Sequence, residues 1–102
     1  MAADDGVTIT FEFRLKPEAV GPFLQGAPMM FQGTADAPGF RSIRVVQNKE
    51  DPALILFVEH WDSEQAYRDY IAWRTERGDM DAFAQAVVST DLKIWPKLVI
   101  EA

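Results

Sequence analysis

The segment ALILFVEHW at 53–61 carries apolar side chains on both of its strand faces for most of its length, and it limits the fold more than any other stretch. A strand of this kind has to be covered on both sides. The N-terminal segment VTITFEFRLK behaves differently. There Val7, Ile9, Phe11, Phe13 and Leu15 alternate with Thr8, Thr10, Glu12, Arg14 and Lys16, the period of two of a half-buried strand.

Between and after these two strands the chain reads as alternating elements. Pro17 suits a first helical turn. Val20, Phe23, Leu24, Ala27, Met30 and Phe31 then recur at spacings of three and four, a helical stripe interrupted by Gly21, Pro22, Gly26 and Pro28. A helix to about residue 37 with a kinked or broken early part is expected. Ala37-Pro38-Gly39 marks a turn, and residues 40–48 read as a strand joined to 53–61 by a short polar hairpin loop. Asp62 and Ser63 offer N-cap side chains, with Gln65 placed to complete a capping box on Asp62. Ala66, Tyr70 and Trp73, with Tyr67 and Ile71 beside them, predict an amphipathic helix ending near Gly78. A short helix capped by Asp79 follows through Phe83, Ala86 and Val87. Residues 91–101 read as a last strand, which Pro96 confines to an edge, a bulge or a strand end. The order β-α-β-β-α-β is the ferredoxin-like α+β arrangement, a four-stranded antiparallel sheet with its helices on one face. One domain over 1–102 is expected, with 1–6 as a disordered tail.

Composition narrows the function. A chain of 102 residues buries about 65% of its unfolded surface, enough for one core. Ten basic against sixteen acidic residues leave a net charge of −6, and the basic residues are scattered, which disfavours nucleic acid. No window is apolar for the length of a bilayer span, and the acidic N-terminus lacks the features of a secretory signal. The absence of cysteine removes disulfides, thiolate nucleophiles and Cys-type metal sites, and a reducing cytoplasm is the simplest location. His60, the only histidine, cannot build a His-rich metal site. The glycines lack the spacing of a dinucleotide or phosphate loop. No metal or cofactor is expected.

Helices on one face leave the other face of the sheet open, yet 53–61 is apolar on both. A two-fold dimer packing sheet on sheet would cover that face. The alternative is a monomer whose C-terminal segment folds back over it.

Pro38-Gly39-Phe40, the hairpin, and then Phe57-Val58-Glu59-His60-Trp61-Asp62-Ser63-Glu64-Gln65-Ala66 resemble the signature of the antibiotic-biosynthesis-monooxygenase domain, a branch of the dimeric α/β-barrel superfamily. The resemblance runs over roughly 7–101, and Tyr70-x-x-Trp73-Arg74 with Gly78-Asp79 resembles a subgroup without assigned substrates. It implies a homodimeric α/β barrel with a pocket between sheet and helices, and a cofactor-independent oxygenase acting on a quinol, anthrone or similar electron-rich aromatic. The haem-degrading members use an Asn on the first strand and an axial His; here that strand has no Asn and no helix carries a His. A different class on the same fold is a non-catalytic dimeric module that binds a small ligand or is associated with stress.

Within that frame His60 is the candidate proton acceptor, since by alternation it shares a face with Leu54, Leu56 and Val58 that would lead into an apolar pocket. The bland alternative is a strand-end histidine bonded to a neighbour. Tyr70 and Arg74 are the other candidate catalytic groups, Arg74 as an anion clamp or else an exposed arginine paired with Asp69 or Glu76. Phe11, Met30, Tyr67 and Trp73 are candidate substrate contacts, each also suited to ordinary core. Glu59 and Trp61 are expected on the opposite face, Glu59 as a structural carboxylate paired with Arg14 or Arg44 and Trp61 as an interface or sheet-packing residue.

Overall fold

The structure is a computed structural model that describes residues 6–102; of the expected N-terminal tail only Gly6 lies among them. The chain runs β1 (Val7–Leu15), a 3-10 turn (Pro17–Ala19), α1 (Val20–Ala35), β2 (Phe40–Gln47), β3 (Leu54–Trp61), α2 (Glu64–Glu76), α3 (Asp79–Ala86) and β4 (Val87–Trp95). The four strands form one sheet in the order β2-β3-β1-β4, with every neighbouring pair antiparallel. This is the ferredoxin-like α+β fold that the element order predicts.

Register decides which side chains meet. Phe11 lies opposite Phe57 on one side and Leu92 on the other, and Ile9 opposite Glu59 and Ile94. The covered face of the sheet is therefore built from Val7, Ile9, Phe11, Phe13 and Leu15 of β1 with Ile55, Phe57, Glu59 and Trp61 of β3. Beneath the helices it splits into two clusters. Val7, Ile9, Trp61 and Tyr67 pack at one end, and Phe13, Leu15, Ile55 and Phe57 at the other. In the second cluster Phe13 stands edge-on to Phe57 at 5.1 Å and to Phe83 at 5.0 Å between ring centroids.

The two faces of β3 lie the other way round from the sequence expectation. Glu59 and Trp61 point under the helices, with Trp61 fully enclosed, and His60 stands on the open face with Leu54, Leu56 and Val58. The cause is β1. Its polar residues Thr8, Thr10, Glu12 and Arg14 must face away from the core, and antiparallel pairing puts His60 beside Thr8 and Val58 beside Thr10. Trp61 is consequently core, packed 5.3 Å from Phe40 and 5.0 Å from Tyr70 between ring centroids, so of its two expected roles it takes sheet packing and not the interface.

Several boundaries also differ. β4 begins directly at the end of α3 and stops at Trp95, before Pro96, whose missing N–H cannot extend the ladder. Residues 96–102 have no regular structure and hold Leu98, Val99 and Ile100 in solvent, so they do not fold back over the open face. α1 is one helix that absorbs Pro28 within it, and the break expected near its start is confined to the 3-10 turn. Ser63, not Asp62, caps α2 by accepting from the Ala66 N–H at 3.0 Å. Gln65 bonds Asp69 and completes no capping box. Gly78, at φ +84°, stands at the head of α3 in place of Asp79. Gly39, also at φ +84°, turns the chain into β2 where a Cβ would lie 2.6 Å from that of Ala66, so the Pro38-Gly39-Phe40 turn is possible only with glycine.

Candidate functional site

A cavity of about 230 Å³ lies between the covered face of the sheet and the three helices. Its walls are Phe11, Phe57, Phe23, Phe31 and Phe83 with Met30, Ile43, Ile71, Met80 and Leu92. The polar groups that reach it come from β3 (Glu59), α2 (Tyr67, Tyr70, Arg74) and α3 (Asp79).

Three of these five are occupied with one another. Arg74, 7% exposed, gives its Nε–H to the Tyr70 hydroxyl (2.9 Å) and an Nη1–H to Asp79 Oδ2 (3.0 Å). Its Nη2 donates to the Met30 carbonyl and to Thr34 Oγ1. Thr34, almost wholly buried on α1, shares a 2.6 Å hydrogen bond with the Tyr70 hydroxyl. One guanidinium thus ties α1, α2 and α3 together. Burial works against its charge, but the bonds it donates to Tyr70 and Asp79 outweigh this and hold Arg74 above its ordinary value. Asp79 is held below its own, first by Arg74. The sequence alternatives for Arg74 named Asp69 or Glu76; its partner is Asp79. Gly33 makes room for this cluster, since a Cβ there would stand 3.1 Å from the Trp73 ring and 3.2 Å from Arg74.

The other two groups are unspent. Glu59 is 4% exposed, and its Oε1 accepts from the Trp61 indole N–H at 3.0 Å. Neither Arg14 nor Arg44 reaches it, and Arg14 instead pairs with Asp51. Among the described residues no second hydrogen bond reaches the Glu59 carboxylate, and none reaches the hydroxyl of Tyr67, which is 6% exposed. Among the described residues no buried side-chain oxygen is both enclosed and unpartnered. The free oxygen of Glu59 and the Tyr67 hydroxyl therefore open into the cavity they line. Burial pushes the Glu59 carboxyl from 4.5 up to about 7, against the lowering effect of the Trp61 bond. Burial and then the nearby Glu59 raise Tyr67 as well.

Of the residues proposed from sequence, Phe11, Met30, Tyr67, Tyr70 and Arg74 line this cavity together. His60 and Trp73 do not. His60 is exposed on the open face, 3.1 Å from Ser42 Oγ. The Trp73 ring lies outside, between the guanidinium groups of Arg74 (4.9 Å) and Arg77 (4.8 Å). It lines a wider surface groove of about 730 Å³ with Asp36, Asp62 and Asp69, and Tyr70 is the wall between that groove and the cavity. The groove is larger, but its exposed carboxylates suit solvent better than an apolar ligand; the cavity, with its aromatic and aliphatic walls, is the better candidate. Sequence reasoning missed Glu59 as a cavity group. A carboxylate flanked by Phe57 and Trp61 at period two, on a strand with no polar face, was the available signal.

Sheet, helices and aromatic cavity together define a small α+β domain of ferredoxin-like topology. The antibiotic biosynthesis monooxygenase family model matches residues 6–86, and the chain belongs to that family. Solved structures agree on the fold. A conserved protein from Methanosarcina mazei Go1 matches with a TM-score of 0.81 at 18% identity, covering 95% of this chain and 97% of that one. A Deinococcus radiodurans protein that carries the family's name matches at 0.80 and 18%, covering 94% and 96%. A variant of SnoaB, a cofactor-independent oxygenase from Streptomyces nogalater, matches at 0.79 and 16%, covering 94% and 96%. A comparison with functionally curated sequences finds no match. No helix among the described residues is long and apolar enough to cross a membrane.

Proposed function

We propose that the protein is a cofactor-independent monooxygenase that oxidises a quinol, anthrone or similar electron-rich aromatic with O₂. The observation that carries this reading is the cavity itself: five phenyl rings and flexible methionines around a space of about 230 Å³, with one oxygen of the Glu59 carboxylate and the Tyr67 hydroxyl left without a hydrogen-bond partner among the described residues. Such walls stack a flat ring and exclude water, and two polar groups are enough to orient it. Family membership and the fold shared with SnoaB support the same reading.

The chemistry then belongs to the substrate. Loss of a proton makes an anthrone-type compound an electron-rich anion, which passes one electron to O₂. The radical pair joins to a hydroperoxide, forming a C–O bond. Elimination of water breaks the O–O bond, leaving one oxygen in a new carbonyl and one in water, so four electrons leave the substrate and four reach O₂. The chain contributes a dry site, orientation and a proton acceptor.

A homodimer completes the proposal. The open face carries Leu54, Leu56, Val58, Val46 and Trp95, and Trp95 and Val46 are about half exposed. Sheet-on-sheet pairing about a two-fold axis would bury this patch and give the dimeric α/β barrel that the family resemblance implies.

The test is oxygen uptake by the purified protein without added cofactor, on a panel of quinols and an anthrone, corrected for autoxidation and for heat-denatured protein. Saturable uptake above background is expected. A folded dimer with no uptake would leave a ligand-binding module in its place.

A further inference from the structure

We propose that Glu59 is the group that takes the proton from a phenol bound in the cavity, with the Tyr67 hydroxyl donating to the same substrate oxygen as it becomes anionic. This rests on the reading that the cavity binds an electron-rich phenol. It assigns the acceptor to β3's covered face and removes His60, the only histidine, from the chemistry.

Position comes first. A base must stand inside the space that the substrate fills, and His60 is on the other side of the sheet. Glu59 is on the cavity wall, more than nine-tenths buried, with one carboxylate oxygen fixed by the Trp61 indole and the other without a hydrogen-bond partner among the described residues. The Trp61 bond matters because it holds the carboxylate in one rotamer. Trp61 is itself immobilised by Phe40, Tyr67 and Tyr70. An acceptor locked in this way loses little freedom when a ligand arrives.

Chemistry agrees with position. The groups facing Glu59 across the cavity are few. α1, β1, β2 and β4 bring only apolar side chains. α2 brings Tyr67, Tyr70 and Arg74, and α3 brings Asp79. Arg74 and Asp79 neutralise each other, and the Tyr70 hydroxyl is taken by Thr34 and Arg74. Glu59 therefore has no counter-ion, and its proton affinity lies near neutrality, where a base is both free to accept and strong enough to act. Transfer moves one proton from the phenol oxygen to the carboxylate and leaves the negative charge on the substrate. The Tyr67 O–H is the remaining donor that can follow that charge.

The experiment uses β-naphthol, a phenol that O₂ does not readily oxidise and whose own ionisation lies above the range studied. Binding is measured by calorimetry on the wild type, Glu59→Gln and His60→Ala between about pH 5 and pH 8. A hydrogen bond to a carboxylate is stronger than one to a neutral acid. Affinity in the wild type and in His60→Ala is therefore expected to rise about tenfold through neutrality, and in Glu59→Gln to stay flat. With an oxidisable quinol, kcat/KM is expected to show the same rising limb, and Glu59→Gln to lower it by about 10²- to 10⁴-fold. A rise that survives in Glu59→Gln, or disappears in His60→Ala, overturns the assignment and leaves the oxygenase reading intact. Binding with the Glu59-dependent rise but no oxygen uptake on any quinol sinks the oxygenase reading and leaves Glu59 as the phenol acceptor of a binding protein. If no variant binds the phenol at all, both fail.

Discussion

Replacing Glu59 by glutamine is expected to stabilise the protein, and by an amount that depends on pH. Burial raises the carboxyl from 4.5 to about 7 in the folded chain. Below the lower value the folded and unfolded chains both hold the proton, and the site contributes no penalty. Between the two values the unfolded chain releases a proton that the folded chain keeps, so stability falls as pH rises. Above the upper value both are ionised and the penalty is constant. At ~1.4 kcal/mol per unit, the loss across this window is about 3 kcal/mol. Glutamine fills the same space, and its carbonyl still accepts from the Trp61 N–H, but it never ionises. The difference in unfolding free energy between Glu59→Gln and wild type should accordingly be small near pH 4.5 and grow to about 3 kcal/mol by about pH 8. Urea titrations followed by tryptophan fluorescence read this directly, at a fixed protomer concentration because subunit association shifts apparent stability. With a urea dependence of about 1–2 kcal/mol per molar for a chain of this size, the midpoints should separate by about 2 M at the higher pH. All other titrating groups cancel in the difference. Two curves that stay parallel from acid to neutral pH would refute the argument that Glu59 is desolvated and without a counter-ion.

Three further outcomes test the framework around the cavity. Gly39→Ala forces a Cβ into Ala66 at a positive φ and should cost about 2–4 kcal/mol, seen as a drop of roughly 10 °C or more in thermal unfolding. Arg74→Lys keeps the charge but cannot reach Tyr70, Asp79, Thr34 and the Met30 carbonyl together, so it should be destabilised by about 2–4 kcal/mol; stability equal to wild type would show that the guanidinium is not what joins the three helices. Val58→Asp, on the open face beside Thr10, should leave the fold and its circular dichroism unchanged while converting a dimer to monomers in sedimentation. An unaltered dimer would place the subunit contact elsewhere.

Much of this architecture is legible in the residues. The alternation Val7-Ile9-Phe11-Phe13-Leu15 marks β1 and its buried face without help from any neighbour, because each polar residue between them would lose its water if the strand turned over. The stripe of Ala66, Tyr70 and Trp73, with Tyr67 and Ile71 beside it, marks α2 as a helix with one side to bury, and Tyr67, Tyr70 and Ile71 fall on the cavity side. Trp73 breaks from that group: its ring is held outside between Arg74 and Arg77, a contact that periodicity cannot show. Val87 and Val88 follow α3 without a turn residue, so the start of β4 is invisible until its pairing with β1 is known.

The site depended on one decision that the local sequence leaves open. In Leu54–Trp61 a shift of one face exchanges Leu54, Leu56, Val58 and His60 for Ile55, Phe57, Glu59 and Trp61, and both sets are apolar enough to be core. The sequence by itself determined that this strand is apolar on both faces, and that the fold is a four-stranded sheet with helices on one face. Which of the two ionisable neighbours, Glu59 or His60, enters the cavity was decided only by tertiary structure. The register against β1 carries the polarity of that strand across to β3, and desolvation under the helices then turns an ordinary carboxylate into a proton acceptor near neutral pH.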